Sequence, residues 1–173
     1  MAPEQASTIA QFLISTAERE AETTRRVLAA VPADKMDFTP HPKNMPAAQL
    51  AWHVASAEVF FLNGIADGQF KVKLMEQPES VKTPADIVAW HAAEVRKVID
   101  RLKNLPAETW SKVIPTAIFE RPAIDYLLTS MTHMIHHRGQ LTVYLRLMGA
   151  SVPSIYGPSA DESHEAEEKA ASA

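Results

Sequence analysis

Proline placement constrains this chain more than any other feature. Pro32, Pro40, Pro42 and Pro46 crowd one segment, Pro78 sits in a second, and Pro106, Pro115 and Pro122 punctuate a third. Proline lacks the backbone donor and clashes with the preceding turn, so helices stop at such clusters. The stretches left between them, residues 6–31, 46–65, 84–104 and 123–148, carry apolar residues at helical spacing and predict four helices. The connectors 32–46 and 66–82 are longer than a tight helix–helix turn requires. The first is long enough to cross an end of a bundle.

Each predicted helix has its own pattern. In the first, Ser7 or Thr8 offers a cap, and Ile9, Phe12, Leu13, Thr16, Arg19, Glu20, Thr23, Val27 and Leu28 trace a stripe that turns polar in the middle. In the second, Pro46 suits the first turn and Leu50, Val54, Ala57, Phe61 and Ile65 form the apolar face, with His53 beside it. The third opens on Thr83-Pro84 with Asp86 three residues on, close to a capping box. Ile87, Trp90, Ala93, Glu94, Lys97, Val98 and Leu102 predict its buried side. The fourth is apolar nearly all round and is expected to be the most buried, with Gly149 placed to end it. Gly64 and Gly68 read as breakers after the second helix. Residues 69–73 alternate briefly like a strand, residues 105–121 read as irregular with a short hairpin or apolar flap, and residues 150–158 read as an extended segment folded back on the bundle. The fold class is therefore all-α, a four-helix bundle over residues 1–158. An acidic tail, residues 159–173, follows; its composition reads as disorder, with a short helix held by a neighbour as the alternative.

Three histidines fall within five residues of the fourth helix. His133 and His137 are one turn apart on one face, a spacing that can chelate a borderline metal such as zinc. Position 134 is Met, so the helical zinc-protease pattern, which needs Glu there, is absent. His53 is the best third ligand, because it lies among core residues of a different helix. A three-histidine site leaves a coordination position open, and there a bound metal would activate a water or a thiol as nucleophile. Metal affinity is expected to fall as pH drops through about 6, near where free imidazole protonates. His136 is rotated off the shared face and reads either as a neighbour that orients or exchanges protons, or as an ordinary polar residue. Gly139 reads as a helix-packing position or a point of close approach, and Arg138 and Gln140 as partners of the ligands, contacts for a substrate, or surface residues. The same histidines also have a purely structural reading as core residues. A carboxylate-bridged di-metal site is disfavoured: it needs Glu-x-x-His on two helices, whereas the chain offers only the reversed His91-Ala-Ala-Glu94.

Composition excludes other classes. A net charge of −4 with no long basic run leaves no footprint for nucleic acid. No apolar run reaches the length of a membrane span. The absence of cysteine excludes disulfides, thiolate zinc sites and a cysteine nucleophile, and with an N-terminus unlike a signal peptide it fits a cytoplasmic protein.

Together, Phe38-Thr-Pro-His-Pro-Lys-Asn-Met-Pro46 leading into Leu50-Ala-Trp-His53, the stretch His133-Met-Ile-His-His137-Arg-Gly-Gln-Leu141, and the closing Tyr144-Leu-Arg-Leu-Met-Gly149 and Val152-Pro-Ser-Ile-Tyr-Gly157 resemble the DinB-like (DinB/YfiT) superfamily of metal-binding four-helix bundles. The resemblance covers residues 8–158. It implies long crossover connections, a homodimer, and a divalent metal, zinc or nickel, on His53, His133 and His137. Related families use the metal to activate a low-molecular-weight thiol such as bacillithiol or mycothiol. The expected function is thus a metal-dependent thiol S-transferase or hydrolase acting on a small molecule. The alternative is a non-catalytic metal or small-molecule binding protein of the stress response.

Overall fold

Among the described residues, four long helices form the bundle: α1 (Pro3–Ala29), α2 (Ala47–Asp67), α3 (Pro84–Lys103) and α5 (Ala123–Leu147). Between α3 and α5 lie the short helix α4 (Ala107–Ser111) and an antiparallel hairpin of β1 (Val113–Pro115) and β2 (Glu120–Pro122). The computed structural model describes residues 1–71, 75–116 and 118–162. The expected hairpin is present, whereas α4 lies in a stretch expected to be irregular. In the strand-like segment 69–73, residues 69–71 are not strand and residues 72 and 73 lie outside the described residues, as does everything after residue 162.

The direction of each helix follows from the two halves of the core. One half gathers Ala6–Ala21 of α1, Val59–Ile65 of α2, Val95–Leu102 of α3 and Ala123–Leu127 of α5. The other gathers Val27 and Leu28 of α1, Leu50–Ala55 of α2, Ile87 of α3 and Met134–Leu145 of α5. Helices α1 and α5 thus run one way and α2 and α3 the other, an up-down-down-up bundle. Helices α1 and α2 each pack on both α3 and α5, so α1 faces α2 across the diagonal and α3 faces α5.

This topology explains the long connectors. Residues 30–46 carry the chain diagonally over one end, where a 3-10 turn (Ala33–Lys35) is pinned by Lys35 Nζ donating to the Met148 carbonyl at 2.6 Å. Residues 68–83 must return along the full bundle, because parallel α2 and α3 both start at the same end. Sixteen extended residues reach about 50 Å, more than the ~30 Å of a 20-residue helix. Phe70 packs on one half of the core, Val81 on the other and Met75 on both. Trp52 Nε1 donates to the Met75 carbonyl at 3.3 Å. The crossing begins at Gly68, whose φ of 67° places it in the left-handed region that ends helices.

Several expectations about faces are corrected. Helix α1 starts at Pro3, ahead of Ser7 and Thr8, with the Gln5 side chain accepting from the Ala2 backbone N–H. Its buried face is Ala6, Ala10, Ile14, Ala17, Ala21, Thr24, Val27 and Leu28, while Ile9 and Phe12 are exposed. Small alanines let α1 lie close to its neighbours, so the large residues mark the wrong stripe. On α3, Thr83 and Asp86 form the expected capping box, but the buried stripe runs through His91 and Val95, and Ala93 and Lys97 are exposed. Helix α2 is the most buried: 13 of its 21 residues are inside, against 10 of 25 in α5. Leu128, Ile135, Val143 and Leu147 keep one side of α5 exposed despite being apolar. Gly64 lies inside α2, and a Cβ there would meet the Phe70 ring at 2.3 Å, so it is a cradle for that ring rather than a helix end.

The acidic tail is anchored where it begins. Asp161 pairs with Arg146 at 2.6 Å and accepts from the Val152 N–H, and Glu162 pairs with Arg26 at 2.7 Å and accepts from the Ser154 N–H. These contacts hold residues 150–162 against the end of the bundle. Among the described residues no helix is long and apolar enough to cross a membrane.

Candidate metal centre

His133 and His137 stand on α5 one position before the buried Met134 and Arg138, so their rings flank the core instead of entering it. Helix α2 lies antiparallel beside this face and brings His53, likewise one position before a core residue, Val54. The three half-buried imidazoles meet in the α2–α5 groove. Ring centroids lie 4.4 Å apart for His53–His137 and His133–His137 and 5.1 Å apart for His53–His133. One ring nitrogen from each residue can be chosen so that all three lie within 4.8 Å of one another, a grouping that can hold a metal ion.

Burial and mutual repulsion keep these rings neutral. Burial, then the neighbouring His137, His53 and His136, pushes the His133 imidazolium down to about 4. Burial and then His137 lower His53. Burial lowers His137 most, the hydrogen bond its ring donates to Gln140 opposes this, and His136 lowers it further. Neutral imidazole keeps the lone pair a metal needs. The pH below which a metal would be released therefore lies lower than unperturbed histidines suggest.

Two further details fit a metal. His137 Nδ1 donates to Gln140 Oε1 at 2.7 Å, which orients the ring and leaves Nε2 as the lone-pair nitrogen. His133 Nδ1 is buried with no hydrogen-bond partner, the condition expected of a nitrogen in a site completed by another group.

The neighbouring residues take distinct places. His136 is exposed, edge-on to His137 with 4.8 Å between centroids. Arg138 is neither in the groove nor on the surface. It is 1% exposed and reaches inward to α1, where it bonds the Glu20 carboxylate at 2.6 Å and Thr24 Oγ1 at 3.2 Å, and it also bonds Tyr156 Oη, from the segment after α5, at 2.6 Å. Gly139 is exposed and a Cβ there would meet nothing within 4 Å, so neither packing nor close approach within this chain accounts for it.

One buried pair was not legible from the sequence. His91 Nε2 donates to Glu58 Oε2 at 2.7 Å across the α2–α3 interface, with both side chains almost fully buried. Glu58 is five residues beyond His53, about 140° round the helix, so it points away from the histidine trio. The burial of His91 did have a periodic signal, since it falls on the 87–91–95–98–102 stripe, but its pairing with Glu58 had none.

An up-down-down-up bundle with a histidine trio in one interhelical groove defines a class of helical protein with a built-in place for a metal. Within that class the chain belongs to the DinB family, whose sequence model matches residues 6–170. It is 29% identical over 157 residues to the uncharacterised protein YrdA of Bacillus subtilis, covering 90% of this chain and 92% of that one. The crystal structure of the DinB-like protein YjoA of Bacillus subtilis superposes with a TM-score of 0.70 at 24% identity, covering 84% of this chain and 97% of that one. A mycothiol-dependent maleylpyruvate isomerase shares the fold more distantly, with a TM-score of 0.54 at 15% identity over 97% of this chain and 67% of the isomerase.

Proposed function

We propose that the chain holds a divalent metal, zinc or nickel, on His53, His133 and His137, and that it is an enzyme activating a thiol or water for S-transfer or hydrolysis. The observation that carries this reading is the trio itself: three neutral imidazoles from two helices, with ligand-capable nitrogens within 4.8 Å. A divalent ion on three neutral ligands keeps its full charge and acidifies a thiol or water at the open position. The protein's part is to keep all three rings deprotonated, to fix His137 through Gln140, and to leave the groove open to solvent. His136, exposed beside His137, is the group placed to accept a proton at its ring nitrogen. The mycothiol dependence named for the isomerase supports a thiol over water. With no cysteine in the chain, that thiol would come from solution.

Metal analysis of untagged protein tests the site. About one equivalent per chain is expected, with loss in His53→Ala, His133→Ala and His137→Ala; metal content unchanged in all three variants overturns it. Turnover of monochlorobimane with a panel of low-molecular-weight thiols, and of simple esters, tests the chemistry. Rates no higher than those of the triple-histidine variant would leave a metal-binding protein without catalysis.

A further inference from the structure

Next to the histidine trio the groove widens into a pocket of ≈ 350 Å³ built largely of aromatic rings. Phe60 and Phe61 come from α2, Phe70 from the crossing segment, Tyr126 from α5, and Phe119 from the hairpin. The Phe61 ring lies 5.4 Å from the His133 ring, and Thr129, at the pocket wall, is one turn before His133 on the same face of α5. Pocket and trio are therefore consecutive parts of one groove. Gly64 is what lets the Phe70 ring lie down on α2 and form one wall.

The polar chemistry of this pocket is one-sided. Tyr126 Oη is committed to the Ile114 and Phe119 carbonyls, and the Thr116 hydroxyl to the Phe119 carbonyl and to the N–H groups of Ile118 and Phe119. Among the described residues, the charged groups at the wall are Lys71 and Arg121, and no acidic residue lines it. Neither cation has a carboxylate partner among the described residues. Arg121 instead lies over the Phe119 ring, 4.4 Å from its centroid. Flat apolar walls favour a planar apolar body by stacking, and two unpaired cations favour an anion beside it. A cavity of about 150 Å³ already holds benzene, so a bicyclic ring system fits here.

We propose that this pocket binds flat, apolar carboxylates, aromatic or conjugated, and that it is the subsite for such a substrate of the neighbouring centre. Only the word substrate rests on the proposed metal chemistry; binding itself does not. The ring stacks among Phe61, Phe70 and Phe119, and the carboxylate faces Arg121 and Lys71.

The test is calorimetric titration of metal-free, full-length protein with 2-naphthoate and with the uncharged 2-naphthamide. Saturable one-to-one binding of the acid is expected. Phe119→Ala should weaken both compounds at least tenfold. Lys71→Met with Arg121→Met should weaken the acid at least fivefold and the amide less than twofold. These three side chains are exposed, so the variants should fold. His133→Ala should leave acid binding within twofold. No saturable binding at millimolar acid overturns the proposal. So does binding that needs added zinc and disappears in His133→Ala, since the carboxylate is then a metal ligand. A Phe119→Ala that dissociates a dimer in sedimentation and leaves acid binding unchanged also overturns it, by making this face a contact between copies. Zinc uptake by the same protein, titrated separately, distinguishes the two readings: naphthoate binding without zinc uptake refutes only the metal centre, and zinc uptake without naphthoate binding refutes only the pocket.

Discussion

His137 and Gln140 sit one turn apart on α5 with 2.7 Å between Nδ1 and Oε1. An amide oxygen only accepts, so the imidazole proton is on Nδ1 and Nε2 is kept for a ligand bond. Gln140→Leu should leave the fold intact and lower zinc affinity about tenfold, the usual scale for losing such a partner. Gln140→Glu, which still accepts, should retain or raise it. Competition with a chromophoric chelator reads both; equal affinities in Leu and Gln proteins would remove Gln140 from the site.

The lowered imidazole pKa values set the direction of the pH response. In the unfolded chain these histidines protonate near 6.5, whereas the native ring of His133 resists until about 4. Between those values the unfolded state binds more protons, so metal-free protein should lose stability as pH falls from about 6.5 toward 4. His133→Asn should flatten that slope in urea titrations across the interval. Because the ligand rings resist protonation below the usual histidine range, zinc should stay bound as pH falls past about 6.5 and be released only at lower pH. A metal-free stability that rises on acidification would contradict the burial of these rings.

The Glu58–His91 pair is buried on both sides, and such pairs are costly to break singly. Glu58→Ala should destabilise the protein by about 3 kcal/mol, roughly 6–12 °C in Tm. Glu58→Gln keeps an acceptor and should cost about 1 kcal/mol. The double variant Glu58→Leu with His91→Leu should cost less than the sum of the single changes. Strict additivity in thermal melts would mean the two side chains are not coupled.

Two glycines of the long helices should respond with opposite sign. Gly64→Ala drives a methyl into the Phe70 ring and should cost about 1–3 kcal/mol, as overpacking does. Gly139→Ala meets open space and should stabilise by up to ~1 kcal/mol through helix propensity. Thermal melts of both variants decide this. A destabilising Gly139→Ala would show that something outside this chain packs on that surface.

The helices were legible because proline and glycine mark their ends locally and because Thr83 and Asp86 cap α3 through neighbours in sequence. Their faces were less so. Apolar size misled on α1, where alanines at 6, 10, 17 and 21 form the contact and Phe12 does not. Apolar content misled on α5, whose exposed Leu128, Val143 and Leu147 look like core residues one at a time. In the site, the His133–His137 pairing follows from a single turn of helix. Its meeting with His53 depends on which helices are neighbours, a property of the whole topology. The inward turn of Arg138 toward Glu20, more than a hundred residues away in sequence, has no local signature.

The crossing segment has a consequence for how the molecule comes into being. Successive long helices here never pair as antiparallel hairpins: α1 and α2 are diagonal, α2 and α3 are parallel, and α3 and α5 are diagonal. The antiparallel neighbours are α1 with α3 and α2 with α5, each pair separated by an intervening helix. A chain leaving the ribosome therefore cannot bury its first two helices against each other, and little of the core can close before residues 84–103 have emerged. The loop entropy of those distant pairings has to be overcome early, so refolding should be slow for an all-helical protein of this length.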